Sequence, residues 1–481
     1  MPPRSPLASR GAARLPHARL PQARLPQARL PHPKLAISRF ALANGLRVVL
    51  NPDRSAPVVG IAVYYDVGFR SEPEGRTGFA HLFEHLMFQG SVSLDKGEAD
   101  RLIEGNGGSM NGSTHPDFTV YISKLPSNAL DLGLFLEADR MRGARLTPEN
   151  LRNQIDVVKE EINVNVNNRP YGGFPWIDLP PVMFSTFNNA HNGYGSFVDL
   201  EAATVEDAND FFQAYYAPGN AVLAVTGDFD PSSIEKLIET HFGGIAAREV
   251  PAPPDLAEPA PTRERRARKV DPLAPMPATA VAYRVPDPIA SFEEFLSTVV
   301  LTDVLGGGEA SRLYQRLVKS DRTAADVGGM IGAFGDPLEM RDPTILELLI
   351  WHPGASVDAI ISAIDDEVDK VASVVTDDEV SRVVASMVSG HLREVDDVLN
   401  RAMVIGLLEQ QRQRAELVNE LPVLLGAVTA SSVSAAAARW LQGAGRAILE
   451  VVPGGSGSGS GPFGDAAGEA GPLGDAAGEA V

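Results

Sequence analysis

The amino-acid sequence predicts an α+β protein made of two domains of about 200 residues each. A proline-rich segment with alternating charges, residues 248–270, separates two stretches of similar size, 37–247 and 271–453. Each stretch has strand patterns early, helical patterns in the middle and a β-rich segment late. With 481 residues, 44% of them apolar, the chain is long enough to bury more than one core.

The first domain begins with a hairpin. The segment from Phe40 to Leu50 turns at Asn44-Gly45, a dipeptide that favours tight β-hairpin turns, and Gly60 to Asp66 continues as a third strand. The late strand runs from Ala221 to Thr226, and a helix follows from Pro231 to Phe242.

The second domain shows a similar order of elements. Thr279 to Arg284 is its predicted early strand, and Ala447 to Val452 its late one. The two domains share no clear sequence identity, so the sequence alone leaves open whether one unit was duplicated.

Both ends of the chain have low-complexity sequence. Within residues 1–36, the pentad Arg-Leu-Pro-(His/Gln)-Ala recurs, and a proline every five residues excludes a helix. Residues 454–481 are rich in glycine, serine and alanine. We predict that the tail is disordered and that the first segment is a disordered extension or an artefact of the assigned start site.

Charge and composition exclude several classes of function. The net charge is −20, and residues 1–35 carry seven basic and no acidic side chains, so the body of the chain is more acidic still. This argues against nucleic-acid binding and is compatible with cationic peptides, although solubility alone would explain it. The apolar stretches fall short of the roughly 18 to 20 residues that cross a bilayer, and no secretory signal is recognisable. We expect a cytoplasmic protein with no membrane or nucleic-acid partner.

One predicted helix carries a metal-binding pattern. The segment Gly78 to Phe88 has helical periodicity with one apolar stripe, and His81, Glu84 and His85 cluster nearly opposite that stripe. The chain has no cysteine, so a transition metal must be held by imidazole and carboxylate groups. Two imidazoles four residues apart can share a zinc ion, and Glu84 beside it could take a proton from water. The alternative is an ordinary solvated helix face.

A catalytic zinc also needs a third protein ligand and an open position. The helix introduced by Thr147-Pro148-Glu149 has a capping threonine and a proline in its first turn, and it carries two candidates, Glu160 and Glu161. On chemistry alone these two are equivalent, and a glutamate on such a helix is usually a surface residue.

The chain resembles the pitrilysin/insulinase family of inverted-motif (HxxEH) zinc metallopeptidases, and most closely the short-subunit branch that includes the mitochondrial processing peptidase beta subunit. In this family about 75 residues separate the second histidine from the third ligand; 75 residues lie between His85 and Glu161, and Glu160 is one short. The resemblance is good over residues 37–247 and weaker over 271–453. Other matching segments are Asn111-Gly112-Ser113-Thr114, Tyr215 to Leu223 and Ser311 to Gln315.

This resemblance implies that the two α+β domains form half of a clamshell peptidase chamber. His81, His85 and Glu161 would be the zinc ligands, and Glu84 would be the general base that activates water. An unstructured peptide would add as a strand along Asn111 to Thr114, a segment that could otherwise be a plain polar strand.

Two departures from the family pattern bear on activity. Gln154 replaces a glutamate that usually stands seven residues before the third ligand; it can still hydrogen-bond a ligand but supplies no charge. Active members also direct an arginine and a tyrosine at the developing oxyanion. The corresponding residues here, Val318 and Ala325, have no side-chain donor. We therefore predict a heterodimer in which a related subunit supplies the Arg/Tyr pair.

The competing hypothesis is a catalytically silent structural subunit. The intact His81, Glu84, His85 and Glu161 favour an active zinc endopeptidase, whereas the changes at Gln154, Val318 and Ala325 favour a scaffold. The zinc content of the purified chain would distinguish the two hypotheses, because a scaffold has no reason to retain the ligands.

Overall fold

The computed structural model describes residues 34–454, so almost all of the predicted extension 1–36 and tail 454–481 lies outside the described part. Eleven strands form two sheets within it. The first sheet consists of β1 (Ser38–Ala41), β2 (Arg47–Pro52), β3 (Val58–Tyr65), β4 (Ser109–Thr114), β5 (Thr119–Pro126) and β6 (Ala221–Gly227). The second consists of β7 (Arg265–Asp271), β8 (Ala278–Arg284), β9 (Asp326–Ile331), β10 (Ile345–Trp351) and β11 (Ala447–Pro453).

The two sheets repeat one topology. The strand order is β1-β2-β6-β3-β5-β4 in the first sheet and β7-β11-β8-β10-β9 in the second. In each sheet a late strand, β6 or β11, lies parallel to one neighbour and antiparallel to the other. This repeated order supports the duplication that the sequence left open, and it makes β4 and β9 equivalent edge strands.

Fifteen α-helices lie between the strands within residues 34–454. In the first half they are α1 (Phe79–Leu86), α2 (Glu98–Gly105), α3 (Leu130–Arg142), α4 (Pro148–Ile162), α5 (Pro180–Met183), α6 (Phe187–Ala190), α7 (Phe197–Glu201), α8 (Val205–Tyr215) and α9 (Ile234–Phe242). In the second half they are α10 (Phe292–Gly306), α11 (Val357–Ser373), α12 (Asp377–Glu394), α13 (Val398–Arg412), α14 (Leu417–Gly426) and α15 (Ala430–Trp440).

The strands predicted from sequence are confirmed. β1 and β2 form the expected hairpin, in which Gly45 takes a φ of 93° and the Asn44 side-chain oxygen accepts from the Leu46 amide. The positive φ explains why a glycine follows the asparagine. The helix predicted from Pro231 begins three residues later, at Ile234.

The predicted linker 248–270 is only partly a linker. Its first part has no regular structure, but Arg265–Asp271 is strand β7, which pairs in parallel with β11. Side chains of β7 alternate between exposed and half-buried positions, as expected for an edge strand whose second face is solvated. Its many charged residues obscure this pattern in the sequence.

Each sheet is covered on one face by helices from its own half and on the other by a segment from the opposite half. Helix α13 packs on the outer face of the first sheet through Ala402, Ile405 and Leu408. Phe174, Leu179 and the residues of α5 pack on the outer face of the second sheet. The chain therefore crosses over twice, and neither sheet buries both faces with residues from its own half.

No single helix among residues 34–454 has both the length and the apolar composition needed to cross a bilayer. Within the same residues, only α14 and α15 meet both criteria, and they do so only when counted as one segment across a bend of 94°. Both helices contribute buried side chains to the hydrophobic clusters.

Candidate metal centre

Helix α1 carries the two histidines and is fixed to the core by its apolar face. Leu82, Phe83 and Leu86 are fully buried beneath it. The helix starts after Gly78, which has a φ of 80° and whose Cβ, if present, would lie 2.3 Å from the carbonyl oxygen of Tyr194. Glycine is thus required at this position for both its conformation and its close contact.

A buried carboxylate caps the N-terminus of α1. Glu72 accepts hydrogen bonds from the backbone amides of Gly78 (2.9 Å) and Ala80 (2.7 Å). His191 lies 3.2 Å from the same carboxylate, and its ring nitrogens also contact the backbone oxygens of Phe69 and Phe187. The negative charge complements the helix dipole, and the helix is thereby anchored at the end nearest His81.

Helix α4 carries the third acidic group. Thr147 caps it by accepting from the Asn150 amide at 3.1 Å, and Pro148 occupies its first turn, as predicted. Leu151, Val158 and Ile162 form its buried face. This packing directs Glu161 toward α1 and leaves Glu160 exposed to solvent.

The structure brings His81, His85 and Glu161 together. Their candidate ligand atoms all lie within 4.8 Å of one another. The Nε2 atoms of the two histidines are 3.2 Å apart, and Glu161 lies 3.7 Å from His81 Nε2 and 3.3 Å from His85 Nε2. A tetrahedral zinc with bonds of about 2.0 to 2.2 Å separates its ligand atoms by roughly 3.3 to 3.5 Å. The donor set therefore fits a zinc ion with one position left open.

Glu84 lies beside this group and does not take part in it. Its Oε2 accepts a hydrogen bond of 2.7 Å from the Thr114 hydroxyl, and the side chain is buried. A Cβ at Gly112 would lie 3.2 Å from Glu84 Oε1, so the edge strand β4 passes directly over the carboxylate. Two of the four predicted substrate-binding residues, Gly112 and Thr114, thus lie next to the predicted base.

The electrostatics of His81 and Glu161 suit metal binding, whereas the surroundings of His85 favour its protonated form. Burial, together with the charge on His85, lowers the pKa of His81 to about 4, so its imidazole is neutral at pH 7. Burial also opposes protonation of His85, but the hydrogen bond to Glu161 and the charge on Glu84 outweigh it and raise its pKa. For Glu161, burial is outweighed by the contacts with His85 and His81, which lower its pKa. Neutral imidazole and ionised carboxylate are the forms that bind metal.

Glu84 responds differently because it is more deeply buried than Glu161 and accepts no hydrogen bond from a histidine. Burial raises its pKa, and the hydrogen bond from Thr114 only partly offsets this effect. A carboxylate whose proton affinity has been increased in this way is better suited to accept a proton from water than an ordinary surface glutamate.

Gln154 lies on the same face of α4, two turns before Glu161, and is buried. Its amide nitrogen donates to Asn153 at 2.9 Å, and the side chain is a minor cause of the raised pKa of His85. A neutral amide thus lies close to His85 at this position.

The cluster opens into a cavity of about 1020 Å³ between the two equivalent edge strands. All four residues Asn111 to Thr114 line it from β4. From the second half the lining consists of Met330, Ala333 and Phe334, which have no side-chain hydrogen-bond donor.

Neither Val318 nor Ala325 lines the cavity. Val318 lies in a π-helical segment, Tyr314–Ser320, and Ala325 is exposed, with its amide donating to the Trp351 carbonyl at 2.7 Å. The nearby Arg312 pairs with Glu379, and Arg316 with Asp366 and Glu367. Within the described residues, the second half therefore directs no arginine at the cluster.

Two family models match the chain and together cover more than half of it. Residues 47–171 match the insulinase model (peptidase family M16), and residues 202–387 match the model described as the peptidase M16 inactive domain. The chain belongs to the pitrilysin/insulinase family. The candidate ligands and Glu84 all lie in the segment that matches the first model.

Named relatives of this insulinase-family chain are zinc proteases. It is 28% identical to the zinc protease PqqE of Helicobacter pylori over 330 residues, which cover 66% of this chain and 71% of the relative. It is 24% identical to a probable mitochondrial-processing peptidase subunit beta of Arabidopsis thaliana, covering 86% of this chain and 77% of that one. The resemblance to this branch, inferred from sequence motifs, is thus confirmed.

The fold of this insulinase-family chain also matches a crystal structure of a protease from Helicobacter pylori. The TM-score is 0.80 at 23% identity, and the match covers 87% of this chain and 100% of that chain. The predicted class, α+β domains forming half of a peptidase chamber, is confirmed as a fold.

Sequence reasoning missed two residues around the cluster, Tyr194 and Glu72, and one contact of Thr114, which it had predicted only as a substrate-binding residue. Tyr194 donates to Glu161 at 2.9 Å, Glu72 caps α1, and Thr114 holds Glu84 in addition to lining the cavity. Burial is the main cause that raises the pKa of Tyr194, to about 12. These contacts join residues 30 or more positions apart in two of the three cases, and a spacing of that kind has no periodic signature in a single sequence.

Proposed function

We propose that this chain is the metal-holding subunit of a zinc endopeptidase that cleaves unstructured peptides. The observation that carries the proposal is the position of Glu84, buried beside three converging ligand groups and hydrogen-bonded to an edge strand. A general base must lie within reach of the attacking water yet must not occupy the metal. Glu84 meets both requirements.

The roles of the residues follow from their positions. A zinc ion held by His81, His85 and Glu161 would polarise the scissile carbonyl and make water acidic enough to attack at neutral pH. Glu84 accepts the proton of the attacking water and then passes it to the leaving amine nitrogen. The unpaired edge of β4 can pair with the backbone of an extended peptide, which places the scissile bond over Glu84.

We further propose that a related subunit completes the site. The second half contributes only Met330, Ala333 and Phe334 to the cavity, so it offers no side-chain donor to the developing oxyanion. Losing one such donor typically costs a factor of about 10² to 10³ in rate. An arginine and a tyrosine from a partner of the same fold, at the positions equivalent to Val318 and Ala325, would supply what is lacking.

The first test is the substitution Glu84→Gln. It should leave one zinc per chain in place and reduce cleavage of an unstructured peptide by about 10³-fold or more, because it removes the base and none of the ligands. Zinc would be measured by elemental analysis and cleavage by mass spectrometry. Glu160→Gln is the matched control and should change neither quantity.

The second test concerns the partner. The purified chain alone should cleave slowly with zinc bound, and adding the related subunit should accelerate cleavage by about 10²-fold or more. Full activity in the isolated chain, unchanged by the addition, would contradict the heterodimer.

A silent structural subunit is the alternative, and the apolar lining from the second half favours it. It predicts a purified chain without stoichiometric zinc. If each chain binds one zinc tightly, a structural subunit that keeps the ligand residues without binding metal is excluded.

A further inference from the structure

Tyr194 lines the cavity beside the candidate metal ligands. Its hydroxyl donates to Glu161 Oε1 at 2.9 Å, and its ring meets the ring of His81 edge-on at 5.2 Å between centroids. On its other side the ring of Trp176 lies 5.3 Å away. The residue thus contacts two of the three candidate ligands from outside the cluster.

The direction of the Tyr194 hydroxyl is fixed by a second hydrogen bond. The Asn165 side-chain nitrogen donates to the Tyr194 oxygen at 3.2 Å. Because that oxygen already accepts from Asn165, its single proton is directed toward Glu161. Asn165 lies in a π-helical turn, Asn163–Asn167, which directly follows α4, and such turns often occur at functional sites.

The backbone around Tyr194 is held equally firmly. The Asn192 side-chain oxygen accepts from the amides of Tyr194 (3.0 Å) and Gly195 (3.1 Å). The Tyr194 carbonyl packs so closely against Gly78 that no side chain fits there. The hydroxyl is therefore presented from a rigid turn that is fastened to the start of α1.

The two ligands that Tyr194 contacts have few other restraints. The Glu161 side chain is 29% exposed and, apart from the two histidines, has its only hydrogen-bond partner within residues 34–454 in Tyr194. His81 Nδ1 is buried without a hydrogen-bond partner, so its ring is oriented only by packing and by the contacts of Nε2 within the cluster. A flexible carboxylate that must leave solvent to bind a metal loses side-chain entropy, and a preformed hydrogen bond reduces that cost.

We propose that Tyr194 is a positioning residue that holds Glu161 in the orientation in which it completes the zinc site, and that Asn165 directs its hydroxyl. The inference rests on the proposed function, because it takes the cluster to be a zinc site. It assigns to Tyr194 no contact with substrate or with the reacting atoms.

The test is the zinc affinity of the full chain, measured by competition with a chromogenic chelator. Tyr194→Phe removes the hydroxyl and keeps the ring packing, and it should weaken zinc binding by about 10-fold or more, in the range typical of groups that orient metal ligands. Tyr215→Phe, which removes a hydroxyl from a ring that packs on Phe211, is the matched control and should leave the affinity unchanged. Thermal melting of the metal-free variants checks that the fold is intact.

A double-mutant cycle makes the test specific. Asn165→Ala should weaken zinc binding in the wild-type background, and it should have little further effect when combined with Tyr194→Phe, because its action passes through the hydroxyl. At saturating zinc, kcat for Tyr194→Phe should stay within about threefold of wild type.

The outcomes separate this inference from the proposed function. If wild type binds zinc and Tyr194→Phe binds it equally well, the positioning role is wrong and the zinc site stands. If kcat collapses at full zinc occupancy, Tyr194 acts on the substrate and the inference is overturned. If wild type binds no zinc, the proposed function fails, and the positioning role fails with it.

Discussion

Five strands have the same order in the two sheets, yet only the first sheet lies next to the candidate metal ligands. At the edge of the first sheet, β4 passes over Glu84 and lies next to the candidate ligands. The equivalent edge strand of the second sheet, β9, presents Met330 to the same cavity, and the loop that follows adds Ala333 and Phe334. The first sheet thus borders the polar side of the cavity, and the second sheet borders the apolar side opposite it.

One buried carboxyl group of the second sheet lacks the hydrogen bonds that the carboxylates around the cluster accept. In the first half, Glu72, Glu84 and Glu161 each accept a hydrogen bond from a neighbouring group. In the second, Glu347 on β10 is 1% exposed, and its Oε2 has no hydrogen-bond partner. Buried acids are costly unless paired, so we expect the unpaired carboxyl of Glu347 to destabilise the second sheet.

The largest expected effect comes from replacing a candidate metal ligand on the polar side of the cavity. Glu161→Gln should raise the zinc dissociation constant by more than about 100-fold, since groups that merely orient a ligand are already worth about 10-fold to 100-fold. Glu160→Gln should have no effect, because that side chain is exposed on another face of α4. Chelator competition measures both variants, and the reverse order would place the third ligand one residue earlier.

The next effect concerns Glu347 in the second sheet and the dependence of stability on pH. Burial raises the pKa of Glu347 to about 8 from the ordinary 4.5. Below pH 4.5 both folded and unfolded chains hold the proton, but between pH 4.5 and 8 only the unfolded chain releases it, so stability falls as pH rises. Above pH 8 both the folded and the unfolded chain have released this proton, so stability no longer depends on pH through Glu347.

Glu347→Gln should remove this pH dependence. We expect wild type to lose on the order of 3 kcal/mol of unfolding free energy between pH 5 and 8, and the variant to lose much less. Urea unfolding at both pH values measures the difference. Glu450→Gln on β11, which is ion-paired with Arg268, is the control and should keep the wild-type slope. Equal slopes in wild type and Glu347→Gln would show that this carboxyl finds a partner in solution.

The smallest effect tests the edge strand itself. Thr114→Val keeps the side-chain shape and removes the hydrogen bond to Glu84, so cleavage should fall by about 10-fold while zinc binding is unchanged. Ser113→Ala lies on the opposite face of β4, where its hydroxyl contacts His115, and should have a weaker effect. Steady-state kinetics on a single peptide compares the two variants, and equal losses would mean that Thr114 acts through the strand and not through Glu84.

The sequence predicted the parts of this comparison that depend on local spacing. The pattern of His81, Glu84 and His85 on one helix follows from 3.6 residues per turn, and the hairpin at Asn44-Gly45 follows from turn chemistry. The choice of Glu161 over Glu160 needed the family spacing, and the structure places Glu161 at the cluster.

What the sequence did not predict depends on contacts between distant segments. Tyr194 reaches Glu161 across 33 positions, and Glu72 reaches α1 through a turn with no regular structure. Strand β7 was missed because its charged residues mask the alternation of an edge strand. The packing of α13 on the first sheet could not be predicted either. An amphipathic pattern shows that one helix face is buried but does not show which element covers it.

The double crossover of the chain has a consequence for how it unfolds and for how it can be divided. Because α13 covers the first sheet and the segment around Phe174 covers the second, neither half can be released without exposing an apolar face of the other. We expect one cooperative melting transition for the whole body. A single proteolytic cut within residues 251–254 should leave both fragments eluting together on gel filtration under native conditions, and fragments that elute separately would contradict this interlocking. The proline-rich segment therefore connects two halves that already pack against each other. We do not expect it to act as a hinge between them.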